Sequence, residues 1–266
     1  MFALSPEVPI RPFAISRGSQ LAPFAAAGVR TVDVLDPGSA PFCLAMNRAN
    51  CLAYDGTLTP GPGQRALGMP LWVFLDCCVL PSVMVGYEVP RDALPADIAD
   101  GLDPDAQLDW IGVSEYVALP SLTPGEVVGV SLFSLVSGSR LGLRAKALAL
   151  RVLEAKTQLG IAQLTNAALG MHLRFGALEI VAAGVRVHSR PDETFIYRVQ
   201  VPAAAALLAL EQDGAGALDR VSPTRFVNPH DAAQRAELAR DGVGWAIVDV
   251  ARDGTTVNRV GLARVG

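Results

Sequence analysis

Asn166-Ala167-Ala168-Leu169-Gly170-Met171-His172-Leu173-Arg174-Phe175-Gly176-Ala177 reads as a helix that ends at a glycine. Its apolar residues Leu169, Met171, Leu173 and Phe175 are interrupted by one imidazole, His172. His172 stands four residues before Gly176, which puts the ring about one turn above the helix stop. Leu178-Glu179-Ile180-Val181 follows at once and reads as the start of a strand. A helix, a glycine and a strand in such quick succession point to a mixed α/β chain.

Moving outward, Phe195–Val201 (Phe-Ile-Tyr-Arg-Val-Gln-Val) is a clear strand. Beyond Pro202 come a short Ala/Leu helix, a Gly-rich break at Gly214–Gly216, a helix over Asp231–Arg240, and a hairpin over Trp245–Val265 with its turn at Asp253-Gly254. Upstream, the prolines at 6, 9, 12 and 23 suggest that the first thirty residues wrap the surface. Val29–Asp36 alternates as a half-buried strand should, and Phe42–Tyr54 suits a helix. Thr57–Gln64 is a loop by composition. Leu71–Cys78 and Ser82–Val89 read as two buried strands joined at a turn, and Trp110–Leu119 as a further strand closed by Pro120. After Thr123, a possible N-cap before Pro124, the residues Val127, Val128, Leu132, Leu135 and Val136 fall at helical intervals. Ala147–Val152 suits a strand, while Arg144–Leu159 would also pass as one helix.

Length and composition bound the function classes. The 266 residues can bury a substantial core. Their formal charge of −4, from 22 basic and 26 acidic residues, advertises no nucleic-acid partner. The positive charge is almost all Arg, with Lys at 146 and 156 alone, and the Ala/Gly/Pro bias suggests a GC-rich bacterial genome. No secretory signal and no uninterrupted apolar run are visible, so a soluble, cytoplasmic protein without membrane contact is expected. Cys43, Cys51, Cys77 and Cys78 match no zinc spacing and read as reduced structural thiols, so no metal is expected.

The Asn166–Ala177 element resembles the end of the acetyl-coenzyme-A-dependent N-acetyltransferase (GNAT) fold. There an Asn opens the last catalytic helix and an aromatic acid/base stands four residues before the glycine, usually Tyr where this chain has His172. Ser114-Glu115-Tyr116-Val117-Ala118-Leu119-Pro120 resembles the family's strand that ends in a Val-x-x-Pro step before the cofactor loop. The resemblance covers about residues 29–201. It implies an α/β (α+β) fold with a mixed, mostly antiparallel sheet flanked by helices, preceded by a surface segment (1–28) and followed by a C-terminal extension (202–266).

The resemblance also implies a site. Acetyl-CoA or another acyl-CoA would be held by Val117, Leu122, Gly125, Val127, Gly129 and Asn166, with its pyrophosphate on backbone amides at a helix N-terminus. A second register places the phosphates on Ser137–Arg144 (Ser-Gly-Ser-Arg-Leu-Gly-Leu-Arg), which has two glycines, two hydroxyls and two arginines, whereas Leu122–Gly129 has its glycines but no Arg or Lys. The first is favoured because it directly follows the Val-x-x-Pro strand. Glu115, or a water, would take a proton from an amine, a backbone N–H of the Trp110–Leu119 strand would polarise the thioester carbonyl, and His172 would protonate the leaving thiolate. Glu88 is an alternative base. The expected reaction is acyl transfer from a coenzyme A thioester to an amine of a small-molecule or amino-acid substrate. An acyl-carrier-protein donor, or a non-catalytic binding protein of the same fold, are the alternatives, and a homodimer is possible.

Overall fold

The computed structural model describes residues 2–58, 71, 73, 75, 76, 81–186, 191–213, 221–254 and 256–265. The chain forms two compact units. The first comprises Met1–Pro120 and Val130–Leu153, and the second Ser121–Gly129 and Glu154–Gly266. Both are mixed, mostly antiparallel β-structure flanked by helices.

The first unit contains β1 (Arg11–Ser16), α1 (Ala22–Ala26), β2 (Arg30–Asp33), α2 (Ala40–Asp55), β3 (Val83–Pro90), α3 (Ala96–Leu102) and β4 (Trp110–Pro120). It also holds residues 130–134 of β5 (Glu126–Ser134) and all of α4 (Leu141–Val152). Its strands run β2-β1-β3-β4-β5, with β1 parallel to β2 and antiparallel to β3. The N-terminal segment is therefore not a surface wrap. Phe13, Ala14 and Ile15 are fully buried, because Phe13 meets the Phe42 ring edge-on at 5.0 Å between centroids and anchors β1 under α2. Pro12 is tolerated at the strand's start.

A bulge in β4 decides which residues face α2. Tyr87 pairs with Ser114 but Glu88 pairs with Gly112, so Val113 is the extra residue. The slip flips the alternation, and Gly112 and Glu115 turn to the same face. A Cβ on Gly112 would strike Met46 of α2, and Glu115 bonds Asn50 of α2. On the opposite face Tyr87 stacks under the Arg144 guanidinium of α4, 4.8 Å from the ring centroid.

Three expectations are corrected here. Residues 125–136 are not a helix but the strand β5. Pro124-Gly125 makes a turn in which the Glu126 N–H donates to Thr123 C=O at 3.0 Å, and Gly125 has φ +76°. Pro then Gly at the two central positions is the type II signature, and it outweighs the helical spacing of the valines. Ala147–Val152 is helix, within α4, because Leu141 to Leu150 includes three alanines and has no β-branched residue. Leu71, Val73, Leu75 and Asp76 are helical rather than extended. The rest of that stretch, Cys77 and Cys78 included, lies outside the described residues, as do Gly214–Gly216 and most of the Thr57–Gln64 loop.

The second unit holds Glu126–Gly129 of β5, β6 (Thr157–Gln163), α5 (Leu169–His172), β7 (Leu178–Ala183), β8 (Thr194–Gln200), α6 (Ala204–Asp213), β9 (Arg225–Val227), α7 (Ala232–Asp241), β10 (Trp245–Asp253) and β11 (Thr256–Arg264). Glu126–Gly129 run parallel to Thr157–Gly160, and the remaining order is β6-β8-β7-β10-β11-β9, all antiparallel. The expected C-terminal hairpin is β10–β11.

Within the first unit, α4 approaches β5 closely at one residue. A Cβ on Gly142 would stand 3.1 Å from the Phe133 carbonyl oxygen, a backbone atom that cannot swing away. Gly142→Val should therefore cost about 1–3 kcal/mol of stability by overpacking, which urea unfolding of variant and wild type will measure.

Candidate functional site

Glu115 stands in the middle of β4 and is wholly buried. Its Oε1 accepts from Asn50 Nδ2 at 2.6 Å and from Ser131 Oγ at 2.6 Å, while its Oε2 has no hydrogen-bond partner among the described residues. Asn50 arrives from α2, and Ser131 from β5 on the same face. Asn50 also reaches Ser131 Oγ at 3.3 Å, so the three side chains close a triangle. One turn further along α2, the Tyr54 hydroxyl lies 3.2 Å from Ser131 Oγ. It also donates to the Leu132 carbonyl at 3.0 Å and accepts from the Leu132 N–H at 3.0 Å. Tyr54 is 38% exposed as a residue, although burial around its hydroxyl pushes the phenol up, so this chain of polar groups links the sealed carboxyl to a partly exposed side chain.

Burial sets the chemistry. Desolvation raises the Glu115 carboxyl from an ordinary 4.5 to about 7, against the opposing pull of its bonds from Ser131 and Asn50. A carboxyl that titrates near neutrality can take a proton or release one at physiological pH. Glu88, the alternative base, is occupied differently. Its carboxylate bonds Arg11 Nε and Arg30 Nη1 (3.1 Å to the latter), and those guanidiniums stack on Trp110 and Phe42. It is an internal ion pair joining β1, β2 and β3.

Leu122–Gly129, the favoured phosphate register, has the wrong local structure for that task. No helix follows it. Leu122 is fully exposed at the hairpin tip, and the Gly125 carbonyl accepts from Lys156 N (2.7 Å) and Thr157 N (3.2 Å). Glu126 is buried, accepts from Ser121 Oγ at 2.9 Å and pairs with Arg198 Nε at 3.2 Å. Val127 is buried in β5 and Gly129 pairs with Gly160. Val117 is fully buried and paired with Met84 in the β3–β4 ladder.

The second register, Ser137–Arg144, does precede a helix. Gly138 (φ +74°) and Arg140 (φ +57°) both take left-handed conformations just ahead of α4. Alternation of left- and right-handed residues curls successive N–H groups toward one point, and the first turn of a helix adds its own unpaired donors and its dipole. Ser139 Oγ braces the loop by donating to the Val136 carbonyl at 3.1 Å.

In the second unit α5 is a single turn. His172 is nearly buried and shares a hydrogen bond of 3.1 Å between Nδ1 and the Tyr197 hydroxyl on β8. Burial pushes the Tyr197 phenol up, while a hydrogen bond with Gln158 of β6 lowers it. Asn166 is exposed, and its Oδ1 accepts from the Ala168 N–H at 2.8 Å, which fixes the turn into α5. Sequence reading singled out Glu115 but not Asn50, Ser131 or Tyr54. They carry no spacing signal, because α2 and β5 meet β4 only through the tertiary fold. Among the described residues no cluster of His, Cys, Asp and Glu suits a metal, and no helix is long and apolar enough to cross a membrane.

No protein-family model matches the sequence, and no curated protein is significantly similar to it. Solved structures similar in fold include the ribosomal-protein-S18-alanine N-acetyltransferase from Escherichia coli, at 10% identity and a TM-score of 0.40, covering 61% of this chain and 89% of that one. A domain from Methanocaldococcus jannaschii matches at 10% identity and 0.40, covering 73% and 100%. A coenzyme-A-dependent acyl-homoserine lactone synthase matches at 12% identity and 0.39, covering 86% and 100%.

Two outcomes check these site descriptions. The folded-state value of Glu115, about 7, lies above the ordinary 4.5, so the native state holds one extra proton between them. That stabilisation is complete below about pH 4.5 and is lost as pH rises through 7. Glu115→Gln should match wild type in unfolding free energy at the acidic end and exceed it by on the order of 3 kcal/mol at about pH 8, as denaturant titrations at the two pH values will read. For the second unit, a double-mutant cycle of His172→Phe and Tyr197→Phe should give a coupling of about 1 kcal/mol. Additive effects would mean that the two rings do not share the bond.

Proposed function

We propose that this protein transfers an acyl group from a coenzyme A thioester to an amine, with Glu115 as the proton acceptor. The observation that carries this reading is the Glu115 carboxyl, sealed in β4 yet titrating near neutrality and wired by Ser131 and Tyr54 toward the surface. The attacking nitrogen forms the new C–N bond as the C–S bond breaks. Its proton passes toward Glu115, its remaining electron pair joins the amide, and the thiolate leaves with the C–S electrons.

The donor's phosphates are assigned to Ser137–Leu141 at the start of α4, not to Leu122–Gly129. What supports this is the pair of left-handed residues ahead of a twelve-residue helix, with Arg140 in the loop and Arg144 one turn on. The leaving thiolate takes its proton from solvent and departs as the free thiol of coenzyme A.

Calorimetric titration with coenzyme A tests the donor site. Ser139→Asp, which sets a negative charge in the loop, should weaken binding at least tenfold, by on the order of 1.4 kcal/mol or more. Leu122→Asp should leave it within about twofold. If Leu122→Asp weakens binding and Ser139→Asp does not, the phosphates sit on the hairpin. If wild type binds no coenzyme A at millimolar concentration, the thioester-donor reading fails.

A further inference from the structure

We propose that Tyr54 and Ser131 form a proton relay that connects the sealed Glu115 carboxyl to the exposed end of α2, so that protons enter and leave this acid through two side-chain hydroxyls. Glu115 is wholly buried, and its polar contacts converge on Oε1. Of the two donors there, the Asn50 amide cannot pass a proton on at neutral pH, because an amide nitrogen that gives one up has no ready source from which to recover it. The Ser131 hydroxyl can, since it donates to Glu115 at 2.6 Å and can accept from Tyr54 at 3.2 Å.

The environment of Tyr54 fits the outer end of such a wire. Its hydroxyl hydrogen has two acceptors within reach, the Leu132 carbonyl at 3.0 Å and Ser131 Oγ at 3.2 Å, and a small torsion moves it between them. Burial pushes the Tyr54 phenol up, which keeps it neutral at rest, while the bonds with Ser131 and with the Leu132 N–H (3.0 Å to the same oxygen) oppose that shift. The T-shaped contact between Tyr54 and Phe133, with centroids 6.4 Å apart, holds the ring in place.

Inward transfer balances as three coupled moves. An external proton binds the Tyr54 oxygen as the phenolic proton passes to Ser131 Oγ, and the Ser131 proton passes to Glu115 Oε1. Both hydroxyls end neutral and the carboxylate ends protonated. Outward transfer is the reverse, after which each hydroxyl must rotate before the next proton. The titratable neighbours on α2 are Cys51 and Tyr54, both of which feel the Glu115 charge. On β3, Glu88 is held by Arg11 and Arg30. Among the described residues the groups that act on Glu115 are the neutral donors Ser131 and Asn50, and none is a cation.

The relay deepens the acyl-transfer reading, because it makes Tyr54 the group that meets the amine proton. It can be tested without the acyl acceptor. A pH jump from about 9 to about 6, followed by infrared absorption of the protonated carboxyl, reads proton arrival at Glu115, with Glu115→Gln assigning the band. Wild type and Ser131→Thr, which keeps the hydroxyl, should protonate at similar rates. Ser131→Ala and Tyr54→Phe should each be slower by at least tenfold, while calorimetry shows coenzyme A affinity unchanged in both. Wild-type rates in Ser131→Ala and Tyr54→Phe would overturn the relay, as would a Glu115 band that never responds between pH 5 and 9. Loss of coenzyme A binding in the wild type would overturn the acyl-transfer reading and leave the relay standing.

Discussion

A carboxyl with no access to water sits on β4, an inner strand of the first unit, and the surrounding structure answers to its cost. Glu115 is enclosed by β4, α2 and β5, and an isolated buried carboxylate is expensive enough that proteins neutralise it or surround it with donors. Two donors at 2.6 Å cover one oxygen and leave the other bare. Such half-satisfaction places the two protonation states close in energy near pH 7. The β4 bulge is the backbone feature behind it. Without the extra residue at Val113, the face that carries Gly112 would carry Ser114 and Tyr116, and Glu115 would point toward α4 instead of Asn50.

The same constraint separates the two internal acids. Glu88 and Glu115 lie on adjacent strands and both are fully buried, but two arginines reach Glu88 and none is bonded to Glu115. The first is an ion pair whose loss would leave uncompensated charge across three strands. The second is an acid held by neutral hydrogen bonds, free to change charge without breaking a salt bridge. Position in the sheet is nearly the same, and the partners supply the difference in role.

Much of the fold was legible in the sequence. β2, β3, β4, β8, α2, α7 and the β10–β11 hairpin follow from alternation, helical spacing and turn residues over short windows. The failures have physical causes. β1 was hidden behind prolines that suggest a surface strand, although Phe13 and Ile15 needed burial as much as any core residue. The β5 sequence suits a helix as well as a strand because its valines fit two periods at once, and Pro124-Gly125, the turn that decides between them, has the residues of a helix start too. α4 has an Ala/Leu composition that fits strand or helix until the close approach at Gly142 fixes it against β5. Of the candidate site, Glu115 was visible as an acid inside an apolar strand. Asn50, Ser131 and Tyr54 were not, since nothing local distinguishes them from other polar residues on α2 and β5. Choosing between the two glycine-bearing loops likewise required knowing where a helix begins.

The central claim is that Glu115 is an acid poised near neutrality rather than a permanently charged or permanently neutral core residue. Carbon-13 NMR titration of its side-chain carboxyl, assigned by the loss of the resonance in Glu115→Gln, measures this directly. The account predicts a single transition with a midpoint of about 7. A midpoint at the ordinary 4.5 would contradict it by showing that burial and neighbouring donors cancel, and with that the case for Glu115 as proton acceptor would fall.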